Sequence, residues 1–236
     1  MSNLANQTLS AIVTSHHELV PVLEKYSLDF CCRGKRTLAD ACAEKNISLD
    51  ELLREMETCT LPSHTGIDFP AMPLEQLIGH ILLRHHFYVR QAIPVIEGHI
   101  AKVVTKHGER YPYMKKVQEL FDAVKEEMLP HLYKEENILF PRIKEVLSAG
   151  QEPAIPAAYV KAPISVMEHE HDHAGQLMFA IREVTANYTP PADACTTHRV
   201  CLDELKAFED DLHQHVHLEN NILFPRAAAI FEPAAA

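Results

Sequence analysis

Two stretches of this chain carry the same side-chain chemistry at the same spacing: HLYKEENILFPR at His131–Arg142 and HVHLENNILFPR at His215–Arg226. They agree at eight of twelve positions, and each opens His-x-x-x-Glu. Residues four apart on a helix share a face, so each copy aims one imidazole and one carboxylate the same way. Each copy also has a histidine upstream at nearly the same distance, His86 before His131 and His171 before His215. Two related helical hairpins would converge these side chains, His86, His131, Glu135, His171, His215 and Glu219, on one point. That is what a two-metal site requires.

The strength of the pattern lies in where these residues fall. Each interrupts an apolar stripe with the alternating three-and-four spacing of a helical-bundle core. The first stripe reads Leu82, His86, Val89, Ile93, Ile96, Ile100, Val103, and the second Val117, Phe121, Val124, Met128, His131, Glu135, Ile138. The third reads Ile164, Met167, His171, Ala174, Met178, Ile181, and the fourth Leu205, Phe208, Leu212, His215, Glu219, Ile222. A polar group buried without a partner costs on the order of 2–7 kcal/mol. Such groups gathered in one core imply something to coordinate.

Two carboxylates with four imidazoles suit iron better than its competitors. Magnesium and calcium take oxygen shells, and structural zinc takes four ligands around a single ion. Two glutamates on facing helices can each bridge two ions, leaving two imidazoles per ion. The expected cofactor is therefore two iron ions in an oxo- or hydroxo-bridged di-iron centre.

The elements that must hold these residues are long helices over about 74–106, 113–147, 163–187 and 193–229. Short links at Gly108–Pro112 and Thr189–Pro191 join antiparallel neighbours, and a longer one at Ala149–Ala162 joins the hairpins. The expected fold is all-α, with a small N-terminal helical domain over 1–61, a linker over 62–73 and an up-down-up-down four-helix bundle over 74–231. Thr37 and Ser48 are expected N-caps, Ser48 with Glu51 has the form of a capping box, and Asn46 closes the preceding helix. Pro94 and Pro130 fall inside predicted helices, where proline usually kinks.

Composition bounds the function. At 236 residues the chain can bury a sizeable core, and its net charge of −11 excludes nucleic acid, whose phosphates demand a basic face. No run reaches the roughly 18 apolar residues of a membrane span. The N-terminus lacks the basic start and apolar run of a signal peptide. Six cysteines, two adjacent, do not form a secreted disulfide framework, so the cytoplasm is the expected compartment.

Other residues compete for roles. Arg33, Lys35 and Arg36 beside the vicinal pair Cys31–Cys32 favour the thiolate, which makes these cysteines candidates for thiol chemistry or iron transfer. Cys42, Cys59, Cys195 and Cys201 are expected to be structural. His85 lies off the first stripe, and His169, His173, His213 and His217 are expected at the surface. For His16, His17, His64, His80, His99, His107 and His198 the ordinary reading is an exposed or capping side chain.

The two His-x-x-x-Glu repeats ending in Ile-Leu-Phe-Pro resemble the hemerythrins. The strings DFCCRGKRTLADAC (Asp29–Cys42), PISVMEHEHDHAGQL (Pro163–Leu177), TPPADACTTH (Thr189–His198) and HLENNILFPR (His217–Arg226) resemble the RIC family (repair of iron centres), also called YtfE/ScdA-like. This resemblance spans nearly the whole chain. It implies a non-haem di-iron protein that repairs iron-sulfur clusters damaged by nitrosative or oxidative stress, as a labile iron donor. It implies the same six ligands, and it puts Glu127 and Glu170 behind them. Damaged iron-sulfur proteins and small ligands such as nitric oxide or dioxygen are the implied partners, and a homodimer is compatible. Gly175 stands where oxygen-carrying hemerythrins have a further histidine, which disfavours simple oxygen carriage. Arg33 stands where the family often has glycine. A di-iron redox enzyme reducing nitric oxide and an oxygen-binding or sensing module need the same ligands and remain the alternatives.

Overall fold

A computed structural model describes residues 4–31, 33–58, 67–149 and 155–231. Cys32, Cys59, His64 and residues 62–66 of the expected linker lie outside the described residues. Among the described residues every regular element is helical, apart from an isolated antiparallel bridge between Thr8 and Thr37. The chain resolves into two compact units, Met1–Leu77 with Val216–Arg226, and Ile78–His215 with Ala227–Ala236.

In the first unit, short helices start at a side-chain cap or, for the second, at Pro21 in its first turn. They are Leu9–Ser15 (α1), Val20–Lys25 (α2), Leu38–Lys45 (α3) and Leu49–Thr58 (α4). Thr8 caps α1 by accepting from the Ala11 N–H, and Thr37 caps α3 by accepting from Asp40. Ser48 accepts from Glu51 at 3.4 Å, and Asn46 ends α3 in the left-handed region at φ 54°. Leu9, Ile12, Leu23, Phe30, Leu38 and Leu52 make a small core.

Four long helical stretches follow along the chain. Leu74–Ile81 (α5) leads into Phe87–His107 (α6), and Tyr113–Lys134 (α7) into Phe140–Ala149 (α8). Ala158–Val184 (α9) stands alone, and Thr196–Leu218 (α10) leads into Phe224–Ala229 (α11). Pro94, Pro130 and Pro163 lie within α6, α7 and α9 without ending them. The expected apolar stripes of the third and fourth helices are buried throughout.

The joins within three of these stretches are π turns, at Leu82–His86, Glu135–Leu139 and Glu219–Leu223. In each, the following phenylalanine N–H reaches five residues back, Phe87 to Leu82, Phe140 to Glu135 and Phe224 to Glu219. A π turn inserts a residue and rotates each one by a smaller angle than an α turn does. The apolar register therefore slips by one, which corrects two expectations. Ile138 is 39% exposed while Leu139 is buried, and Leu82 is only half-buried. Pro141 and Pro225 follow two of these turns, where the wider spacing relieves the clash of a proline ring with the carbonyl four residues back.

Candidate metal centre

The six residues singled out by spacing come together. Donor atoms of His86, Glu135, His215 and Glu219 lie within 4.8 Å of one another, as do those of His131, Glu135, His171 and Glu219. The two groups share both glutamates. Glu135 stands between them, its Oε2 3.3 Å from His86 Nε2 and 3.2 Å from His131 Nε2. His171 Nε2 lies 3.0 Å from His131 Nε2, so both rings point at one locus. Glu219 follows His215 by one turn of a helix that continues unbroken from Thr196. All six are at most 1% exposed. Two carboxylates buried this deeply carry a large desolvation cost unless positive charge meets them, and a mixed imidazole–carboxylate set is a shell that iron accepts. The residues fit a pair of metal cations.

A layer of carboxylates orients the imidazoles. Glu136 Oε1 lies 2.8 Å from His86 Nδ1 and is itself held by both Arg90 Nη atoms, at 2.7 and 3.0 Å. Glu170 Oε2 lies 3.0 Å from His131 Nδ1, and its other oxygen accepts from Lys134. Each carboxylate accepts from Nδ1–H, which leaves the Nε2 lone pair directed at the shared locus. Burial raises the Glu170 carboxyl, but hydrogen bonds and charge from His131 and Lys134 outweigh it and bring it down to about 2. For Glu136 burial likewise opposes Arg90 and His86, and the result is a lowered value.

Glu170 thus lies directly behind the His131 imidazole. Glu127 is turned elsewhere, with its Oε2 3.1 Å from Nδ1 of the exposed His173. Glu136 and Arg90 were not singled out by sequence, although Glu136 directly follows a stripe residue and Arg90 follows His86 by one turn.

Three histidines expected outside the core are buried. The π turn at Leu82–His86 brings His85 inside with His86, where its Nδ1 meets Asp211 Oδ1 at 3.1 Å and its ring stacks on His215 with centroids 5.5 Å apart. His198 is enclosed by Tyr111 and Tyr113, and the Tyr113 hydroxyl lies 2.8 Å from its Nε2. His217 packs edge-on against Phe30. His213 is half-buried, while His169 and His173 are exposed as expected.

Cys31 is buried, and its Sγ lies within hydrogen-bond reach of Asp29 Oδ1, at 3.2 Å. Of the basic residues after it, Arg33 and Arg36 both pair with Glu44. Burial pushes the Cys42 thiol up, and it pushes Cys201 up to about 12.

Comparison with known proteins agrees with this geometry. Residues 77–227 match the hemerythrin HHE cation binding domain, and residues 5–60 match ScdA_N, a domain of unknown function. The iron-sulfur cluster repair protein YtfE of Yersinia pseudotuberculosis serotype IB (strain PB1/+) is 36% identical over 222 residues, covering 94% of this chain and 96% of that protein. The protein of the same name from Yersinia pestis (strain Pestoides F) is similar to the same extent.

Proposed function

Since the chain belongs to the RIC family of YtfE-type iron-sulfur cluster repair proteins, we propose that it is a non-haem di-iron protein repairing clusters damaged by nitrosative or oxidative stress. In this reading it acts as a labile iron donor. His86, His131, His171, His215, Glu135 and Glu219 hold the two irons, and the two glutamates are shared between them. The observation that carries the reading is the pair of four-residue donor groups overlapping at both glutamates.

Bound iron would supply ferrous–ferric chemistry and exchangeable coordination positions. The chain's own part is to present ligands in the right protonation state. Glu136 and Glu170 keep His86 and His131 as Nδ1–H tautomers, and the apolar core keeps bulk water from competing for the carboxylates. The Cys31–Cys32 segment assists transfer in this reading, and the cytoplasm, where thiols stay reduced, is the fitting compartment. No helix among the described residues is long and apolar enough to cross a membrane.

The test is iron transfer from the loaded protein to an apo iron-sulfur protein, run anaerobically beside turnover with nitric oxide. Stoichiometric iron loss with cluster recovery is the expected result. Sustained reduction of nitric oxide without iron loss would favour the redox enzyme, and reversible dioxygen binding alone would favour the binding module.

A further inference from the structure

We infer that Asn220 and Asn221, with His217, are positioning residues that hold the Cys31 segment against the helical turn carrying Glu219. The inference rests on the proposed iron-transfer role for any catalytic consequence, but its geometry stands apart from that role.

Phe30 and Cys31 are buried, so their backbone carbonyls need donors. Asn221 Nδ2 donates to the Phe30 carbonyl at 3.1 Å, and Asn220 Nδ2 lies 3.4 Å from the Cys31 carbonyl. The second hydrogen of the Asn221 amide reaches His217 Nδ1 at 2.9 Å, and the His217 ring meets the Phe30 ring edge-on at 5.9 Å. Two consecutive carbonyls of the cysteine segment are thus met by two consecutive amides of the π turn that begins at Glu219.

The segment is shaped to present them. Asp29 Oδ1 accepts from both the backbone N–H and the thiol of Cys31, which folds the chain back on itself. Gly34 passes so close behind that a Cβ there would stand 2.2 Å from the Phe30 carbonyl oxygen. Only glycine leaves that carbonyl free to point at Asn221.

The first repeat shows why position 220 carries an amide. There the residues after the shared glutamate are Glu136 and Asn137. Glu136 accepts from an imidazole N–H, and Asn137 donates to the Tyr133 carbonyl of its own helix. A histidine N–H calls for an acceptor, whereas the carbonyls of Phe30 and Cys31 call for donors. A carboxylate at position 220 would repel the Cys31 carbonyl, and asparagine answers it.

The test uses the iron-loaded full-length protein and measures iodoacetamide labelling of Cys31, assigned to the residue by tandem mass spectrometry. Cys42, buried in the same unit, is the internal control for global opening. Removing both amide donors in N220L/N221L should raise the Cys31 labelling rate about tenfold, a modest net contribution from the two hydrogen bonds lost. Iron content and Cys42 labelling should stay as in the parent. N220Q/N221Q, which keeps the donors, should restore slow labelling. Gly34→Ala should expose Cys31 independently by displacing the Phe30 carbonyl, which covers the case in which the double variant fails to fold. Unchanged Cys31 labelling in both N220L/N221L and Gly34→Ala would overturn the inference, as would labelling of Cys42 in parallel with Cys31. Failure of the parent to donate iron would sink the proposed function and leave this result standing.

Discussion

The two twelve-residue repeats begin from the same chemistry and end in different surroundings. At the His-x-x-x-Glu positions and at the closing arginine they do the same work. His131 and Glu135 in one, and His215 and Glu219 in the other, furnish the candidate donor groups. Their closing arginines are also equivalent, since Arg142 donates to the Tyr159 carbonyl at the start of α9 and Arg226 to the Met72 carbonyl just before α5. Where the repeats differ, the partners differ. Tyr133 is 62% exposed, while its counterpart His217 is buried against Phe30. Glu136 braces a histidine, while Asn220 faces a backbone carbonyl. The shared His-x-x-x-Glu marks the candidate donor set, and the differences at Tyr133/His217 and Glu136/Asn220 mark the repeat that packs on the Phe30–Cys31 segment.

The sharpest way to break this comparison is to remove the shared carboxylates in turn. Glu135→Ala and Glu219→Ala should be equally severe, each taking a donor from both groups and lowering iron content from roughly two per chain to well below one. Metal analysis of the purified variants checks this, and retention of iron by either would end their equivalence. The next effect separates the repeats. Glu136→Ala should weaken iron binding by about 10–100-fold, because His86 loses the acceptor on its Nδ1, whereas Asn220→Ala should leave affinity unchanged. Competition with a ferrous chelator would read both.

His85→Ala should act on stability. It removes one partner of a buried pair and leaves the Asp211 carboxylate behind, at a cost of about 2 kcal/mol, or roughly 4–8 °C in Tm. A Tm within a degree of the parent would show that the pair contributes nothing. The smallest effect belongs to the far end of the bundle, which neither repeat reaches. Burial, with His107 and Arg199 nearby, holds the His198 imidazole below its ordinary value. A histidine depressed in the folded state takes its proton more readily when unfolded. Its contribution is therefore complete above an unfolded value of about 6.5 and declines as pH falls toward the folded value. His198→Gln should flatten the fall in Tm between about pH 6.5 and 5, and an unchanged slope would remove His198 as its source.

The sequence by itself determined the candidate ligands, because a buried imidazole or carboxylate at a stripe position is costly and the duplication repeats it at the same spacing. It also determined the caps at Thr37, Ser48 and Asn46, since capping is local chemistry between residues three or four apart. The tertiary structure alone decided the rest. Periodicity assumes a uniform helix, so it could not register the residue that each π turn inserts, and this is why Ile138 rather than Leu139 was expected inside and His85 outside. The hint was the proline six residues beyond each shared glutamate, but it gives no direction of slip. His198 and His217 read as surface residues because nothing adjacent in the chain encloses them, and Tyr113 and Phe30 reach them only on folding. The partners of the basic run after Cys31 were likewise settled only by folding. Proximity in sequence does not fix where an arginine points, and Glu44 offers Arg33 and Arg36 a carboxylate that no local reading could weigh.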